Sequence, residues 1–429
     1  MKIEVDNFVY KLSLQNKKKR VVLKSEELML LEELSHHRVL GAGEVHNILQ
    51  VASNKPKNSR AITNRLRRLV NIGVLKRLVL PPSANNRFPL YFYKVGSKGL
   101  QVLVQTGALT KERSEMINEY LKKAKVPNPH NIATSILANK VKLLGFKEGF
   151  EDYQHGRSSL FFEKNSPIVP DWVFKRNTHL VCLEVDSGGE SLSVIRDKYK
   201  KYIELAAKTK DKIKVVFSVM DGSVSQSLTD SERSKRTYSI KESAPPLQEW
   251  PANLSFYSLT AERTPALILR LIKDIEPIPA ELRKIIVNDW VNLWKENIPA
   301  GNELTLLNND EIYADDNRQR LNDADAILRV QTRNYKRTVA VLHGEEGSVF
   351  TYQKLRLLHE RTALRPIKGE MFNKIVLLYE DEEAAEKDVY GVLLSNAEFA
   401  YRGLWKGDPS QVKILRQVSP YRKEWGKFE

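Results

Sequence analysis

Apolar and polar positions follow two different rhythms along this chain, and the switches between them divide it. Near the start, SEELMLLEELSHH carries Leu28, Leu31 and Leu34 at helical spacing behind Ser25, a residue suited to capping the first turn. Gly41 and Gly43 predict a turn, and Val45, Ile48 and Leu49 predict a second short helix. In NSRAITNRLRRLVNIGVLKRLVL, Ile62, Leu66, Leu69 and Val70 make one apolar stripe, leaving Arg60, Asn64, Arg65, Arg67 and Arg68 on the remaining surface. Gly73 ends this helix, and VLKRLVL and PLYFYKV read as two strands joined by the tip PPSANNRF. Helix, turn, helix and hairpin is the order of a winged helix-turn-helix. From Ser97 to about Leu144 the reading is helical again, broken at VPNPH, with Ile132, Ile136, Val141 and Leu144 as the expected packing face.

The rhythm then shortens. SLFFE, PDWVF and HLVCLEVD read as strands, a helix is expected from about Glu190 to Lys208, and IKVVFSVM is a strongly apolar strand. A helix near Ser227 to Ser239 and an edge strand LSFYSLT complete a mixed α/β region. Glu276-Pro277-Ile278-Pro279 marks a boundary. Beyond it, a helix is expected to bury Leu282, Ile285, Ile286, Trp290 and Leu293, followed by short apolar segments between charged loops. The acidic run from Glu380 to Asp388 reads as a solvated face. These divisions predict an α/β multidomain protein: a winged helix domain at 1–105, a helical connector at 106–150, a mixed-sheet domain at 151–275, and a C-terminal α+β domain at 276–429.

Charge narrows the partners. The 69 Lys+Arg against 53 Asp+Glu leave a net +16, which favours a polyanion. With the helix and hairpin pattern, that points to double-stranded DNA. Arg60, Asn64 and Arg68 are placed to reach bases, Lys57, Arg65 and Arg87 to reach phosphates, and Arg67 lies beside them. A homodimer would suit paired half-sites. The single cysteine, Cys182, sits in an apolar run and reads as a buried thiol of a reducing compartment. The polar start and the lack of a long apolar run predict a cytoplasmic protein with no membrane partner. No GxxxxGK[ST] phosphate loop is present, and HGEEG is not HExxH, so ATPase and zincin readings lack their chemistry.

Three acids in apolar surroundings stand out, because an uncompensated carboxylate there is expensive. They are Asp171 after Pro170, and Glu184 and Asp186, which share strand-face parity. Converging carboxylates suit Mg²⁺ or Mn²⁺, which could activate water against a phosphodiester. Lys198 and Tyr202 fall on one face of the next helix, as a phosphate clamp and a hydrogen-bond donor behind the acids. Alternatively, Glu184 or Asp186 pairs with basic residues of the following helix such as Lys198 or Lys200, leaving a nuclease-like scaffold without catalysis. His130 reads as a cap or packed polar residue rather than a metal ligand. His36 and His37, adjacent on a helix, are expected to point apart.

The helical start joined to PD(x12)EVDxGxESLxxxxxKYKKY resembles the replication-relaxation family of plasmids and mobile elements. The resemblance covers roughly residues 1–260. It implies a variant of the restriction-endonuclease-like fold, whose usual pattern is an acid followed by Glu-x-Lys, with Asp171 and Glu184 at the acidic positions. Asp186 stands where that pattern has lysine, and Lys198 is the displaced substitute. The implied role is in plasmid or phage replication or mobilisation, with replication or mobilisation proteins as partners. The activity implied is either metal-dependent DNA cleavage or non-catalytic service as initiator, transcription regulator or structural adaptor. Tyr202 is not read as a strand-transfer nucleophile, since no histidine-hydrophobe-histidine cluster accompanies it.

Overall fold

Each apolar stripe needs a partner to cover it, and the chain supplies those partners within two units. A computed structural model describes residues 3–6, 9–13, 20–37, 39–53, 58–80, 89–123, 128–163, 165–221, 230–273, 280–297, 301–307, 324–331, 336–362, 372–403, 413–420 and 422–427. The units are residues 1–164 with 170–174, and residues 165–169 with 175–429.

The first unit opens with an antiparallel sheet of β1 (Ile3–Asp6), β2 (Val9–Ser13) and β3 (Arg20–Leu23). There follow α1 (Ser25–His37), β4 (Leu40–Gly41), α2 (Ala42–Val51), α3 (Ser59–Asn71), β5 (Leu75–Leu80) and β6 (Leu90–Val95). The last three strands form a sheet ordered β4-β6-β5. Leu30, Leu34, Val45, Leu49, Ile62, Leu66, Leu69 and Val95 meet in one core. Asn58 caps α3, accepting from the Arg60 amide at 2.7 Å, a contact of about 1 kcal/mol. Gly73 turns the chain with φ 78°, a region that favours glycine.

Three expectations change here. Gly41 lies in β4 and Gly43 in α2, because Leu40 and Gly41 pair with Tyr93 and Phe92 of β6. A distant strand, invisible to local turn chemistry, decides that geometry. The segment after Ser97 makes three helices: α4 (Ser97–Gln105), α5 (Lys111–Lys123) and α6 (Pro129–Lys147). Gly107, at φ 78°, supplies the additional break. On α6 the small residues Ala133 and Ala138 turn inward with Leu137 and Val141, leaving Ile132, Ile136 and Leu144 half-buried. The short strand β7 (Gln154–Gly156) follows, and β8 (Trp172–Arg176) begins in this unit and ends in the next.

In the second unit, β9 (His179–Asp186) is buried at every position, as expected of a strand covered on both faces. β10 (Lys212–Val219) runs parallel to β9 and to β11 (Leu254–Thr260). Between them lie α7 (Leu192–Ala207) and α8 (Asp230–Glu242), and α9 (Thr264–Lys273) follows. α7 starts after Glu190 because Ser191 takes the cap, accepting from the Val194 amide. Cys182 is a buried free thiol.

The chain continues through α10 (Ala280–Asn297), β12 (Glu303–Leu306), β13 (Ala326–Gln331), β14 (Lys336–His343) and α11 (Val349–Thr362). It ends with β15 (Phe372–Tyr379), α12 (Glu382–Lys387), β16 (Ala397–Tyr401), β17 (Lys413–Ser419) and β18 (Arg422–Lys427). The last seven strands form one mixed sheet in sequence order. The expected boundary at 276–279 lies outside the described residues. α10 buries Ile286, Val287, Trp290, Val291 and Trp294 and leaves Leu282, Ile285 and Leu293 exposed. Its sequence carries two apolar stripes, and the one bearing both tryptophans, the larger area, covers the sheet. The acidic run is not wholly solvated. Ala384, Ala385 and Asp388 are buried, with Lys241 reaching Asp388 at 3.2 Å. Among the described residues, no helix is long and apolar enough to cross a membrane.

Candidate nucleic-acid interface and central acidic cluster

On α3, the residues that enter the core sort the others outward. Ile62, Leu66 and Leu69 are buried, while Arg60, Asn64, Arg67 and Arg68 are exposed. Lys76 and Arg77 on β5 are exposed too, and the Arg77 guanidinium lies 5.0 Å from the ring centre of Tyr91 on β6. Arg67 donates to Asn64 Oδ1 at 3.3 Å. Arg65 is engaged differently. It donates through Nη2 to Glu27 Oε2 at 2.7 Å and to the Val22 carbonyl, tying α3 to the start of α1. Lys57 and Arg87 lie outside the described residues.

The acids separate by unit. Asp171 belongs to the first, where His130 Nε2 and Asp171 Oδ1 are 2.8 Å apart. The helix cap expected of His130 is supplied by Asn128 instead. Glu184, Asp186, Lys198 and Tyr202 belong to the second unit. Glu184 is buried on β9, and the Tyr202 hydroxyl donates to its Oε1 at 2.6 Å. Lys198 Nζ lies 3.0 Å from Glu184 Oε2 and 2.9 Å from Glu190 Oε2. Burial would lower the Lys198 pKa, but Glu184 and Glu190 outweigh it and raise the group above its ordinary range. Tyr202 is fully buried, which denies its hydroxyl to a substrate strand.

Asp186 is held by Arg236 of α8, Nε to Oδ1 at 2.9 Å and Nη2 to Oδ2 at 2.6 Å, and also accepts from the Gly188 amide at 2.7 Å. Arg236 was not legible as a partner, since nothing local links α8 to β9. Every carboxylate oxygen of Glu184 and Asp186 thus has a donor, and each carboxylate has its own cation. A Mg²⁺ or Mn²⁺ ion at these two groups would sit beside an ammonium and a guanidinium and would have to displace them. The donor set of this conformation does not fit that ion.

A second cluster lies in the first unit. Glu33 and His36, three apart on α1, and His155 on β7 bring their potential ligand atoms within 4.8 Å of one another. Both adjacent histidines reach this place. The His36 ring centre is 5.1 Å from that of His155, and the His37 ring centre 6.2 Å, while His37 also stacks on Trp172 at 4.4 Å. Of these two adjacent histidines, His36 brings a ring nitrogen into the cluster, whereas His37 stacks on Trp172. Burial, helped by His155, lowers the His36 pKa to about 3, and burial lowers that of His37. Burial alone would raise Glu33, but His155 and His37 hold it well below the usual carboxylate range. The Glu-x-x-His spacing was the available sequence signal. His155, far along the chain, carried none.

The fold and these sites define a class: a helix-and-hairpin module with an arginine-rich exposed face, followed by a parallel α/β unit with a neutralised acidic strand. The model of the replication-relaxation family matches residues 31–219, from α1 to the end of β10, and over that stretch the chain is similar to the family. No curated protein and no solved structure matches the chain.

Proposed function

We propose that this protein binds double-stranded DNA with α3 and the β5–β6 hairpin acting as a winged helix-turn-helix, in plasmid or mobile-element replication or mobilisation. The observation that carries this reading is the exposed set Arg60, Asn64, Arg67 and Arg68, on a helix whose opposite stripe is locked into the core. A rigid helix offering guanidinium and amide groups at one face suits major-groove edges. Lys76 and Arg77 extend the same charge onto the hairpin, where phosphate contact adds affinity without sequence information. The family similarity supports the link to replication.

The restriction-endonuclease-like reading of the central strands belongs to this proposal as a scaffold. Lys198 and Arg236 neutralise the two acids of β9 and bind α7 and α8 to it, which favours DNA binding without Mg²⁺-dependent cleavage at Glu184 and Asp186. The test is fluorescence anisotropy on labelled duplex across a salt series, with supercoiled plasmid plus Mg²⁺ or Mn²⁺ assayed alongside. Wild type is expected to bind with steep salt dependence, Arg60→Ala and Arg68→Ala to bind weakly, and the plasmid to stay intact. Undiminished binding by both variants overturns the interface. Cutting that is lost in Glu184→Ala overturns the scaffold reading.

A further inference from the structure

We propose that Glu33, His36 and His155 form a binding site for Zn²⁺ or a similar imidazole-seeking divalent ion, which staples β7 to the C-terminal end of α1. The geometry comes first. Two residues one helical turn apart on α1 and a third from a strand bring one carboxylate and two imidazoles within 4.8 Å. Nitrogen ligands select zinc-like ions over Mg²⁺, and two histidines with a glutamate is a known set for zinc with one further position open. A cavity of about 340 Å³, lined by Glu33, His36, Arg113, Lys142, Tyr153 and His155, leaves room for water or a small anion at that position.

The hydrogen-bonding account points the same way. Glu33 Oε2, His36 Nδ1 and His155 Nδ1 are buried without a hydrogen-bond partner. Buried polar atoms are nearly always satisfied, so three orphans in one cluster ask for a missing partner. Glu33 is 3% exposed, and its ion-pair partners among the described residues are His37 and His155, whose rings supply full charge only when protonated. A bound cation compensates that buried carboxylate with both imidazoles neutral. His37 Nε2 lies 3.5 Å from Glu33 Oε2 without hydrogen-bonding to it, so it does not replace the missing partner. Nothing in this site depends on the DNA-binding face or on the acids of β9.

Isothermal titration of Zn²⁺ into full-length, chelator-stripped protein tests the site. One tightly bound ion per chain is expected, and Co²⁺ in its place should show visible ligand-field bands of nitrogen and oxygen coordination. His155→Ala and His36→Ala, each checked for folding by circular dichroism, should weaken binding by at least the ~10–100-fold that loss of an outer partner alone costs. His36 is half-buried at the cavity, so its variant keeps the test decisive if His155→Ala fails to fold. Absence of stoichiometric binding by wild type, or unchanged affinity and stoichiometry in folded His36→Ala, overturns the proposal.

Discussion

Arg236 grips Asp186 through two hydrogen bonds, at 2.9 Å and 2.6 Å, joining α8 to the last residue of β9. With the Asp186 side chain 2% exposed, the pair is a buried one, and removing one partner differs from removing both. Arg236→Ala strands a carboxylate and is expected to destabilise the protein by about 3–5 kcal/mol. Replacing both groups with apolar residues should recover most of that loss. Urea unfolding of the single and double variants checks it, and an unshifted midpoint in Arg236→Ala would sink the idea that this pair holds α8.

Arg65 and Arg68 sit in the same helix yet should fail differently. Arg68→Ala should leave stability unchanged while weakening DNA binding by about 1–3 kcal/mol and relaxing discrimination between sequences. Arg65→Ala leaves the buried Glu27 carboxylate without its guanidinium and should cost about 1–3 kcal/mol of stability. Thermal melts beside a binding series separate the two. Equal melting temperatures for Arg65→Ala and wild type would contradict the structural role.

Gly96 sits where β6 meets α4. A Cβ there would lie 2.2 Å from the Gly73 carbonyl oxygen, a backbone atom that cannot step aside as a side chain would. Gly96→Ala should therefore destabilise the hairpin junction by about 1–3 kcal/mol. DNA binding should weaken with it, because the hairpin and α3 share this core. Gly43→Ala is the control, since nothing lies within 4 Å of its added Cβ.

Lys423 gives the second unit a pH dependence. Burial lowers its pKa to about 8 from 10.5, with Asp388 opposing and Lys241 reinforcing the shift. Between those values the unfolded chain binds more protons than the folded one, so this group's contribution to stability rises with pH across that window. Below about 8 both states are protonated and the cost of burying the charge is present in full. Melting temperatures of wild type and Lys423→Met should diverge at pH 7 and converge toward pH 10. A pH-independent difference between them would refute the shift.

The zinc-like cluster shows how a site can be half-visible in sequence. Glu33 and His36 announce themselves by helical spacing, but the spacing alone cannot say whether a third ligand exists. His155 is supplied by β7, and only packing of that strand over α1 puts it within reach. Asp186 shows the opposite case. Its parity with Glu184 was readable, while its neutralisation by Arg236 was not, since that guanidinium comes from a helix beyond the next strand.

What the sequence alone determined is whatever depends on neighbours a few residues away. The apolar stripe of α3 and the outward set of its arginines follow from a period of 3.6. The parallel course of β9, β10 and β11, the pairing of Leu40 with Tyr93, and the face of α10 that turns inward were decided by tertiary structure. The reason is physical. Local chain geometry is set by torsions and short-range hydrogen bonds, whereas the choice between two apolar stripes, or the cation that neutralises a buried acid, depends on which distant surface arrives to exclude water. For Glu184 and Asp186 that arrival brought a lysine and an arginine, which pair the two acids with α7 and α8.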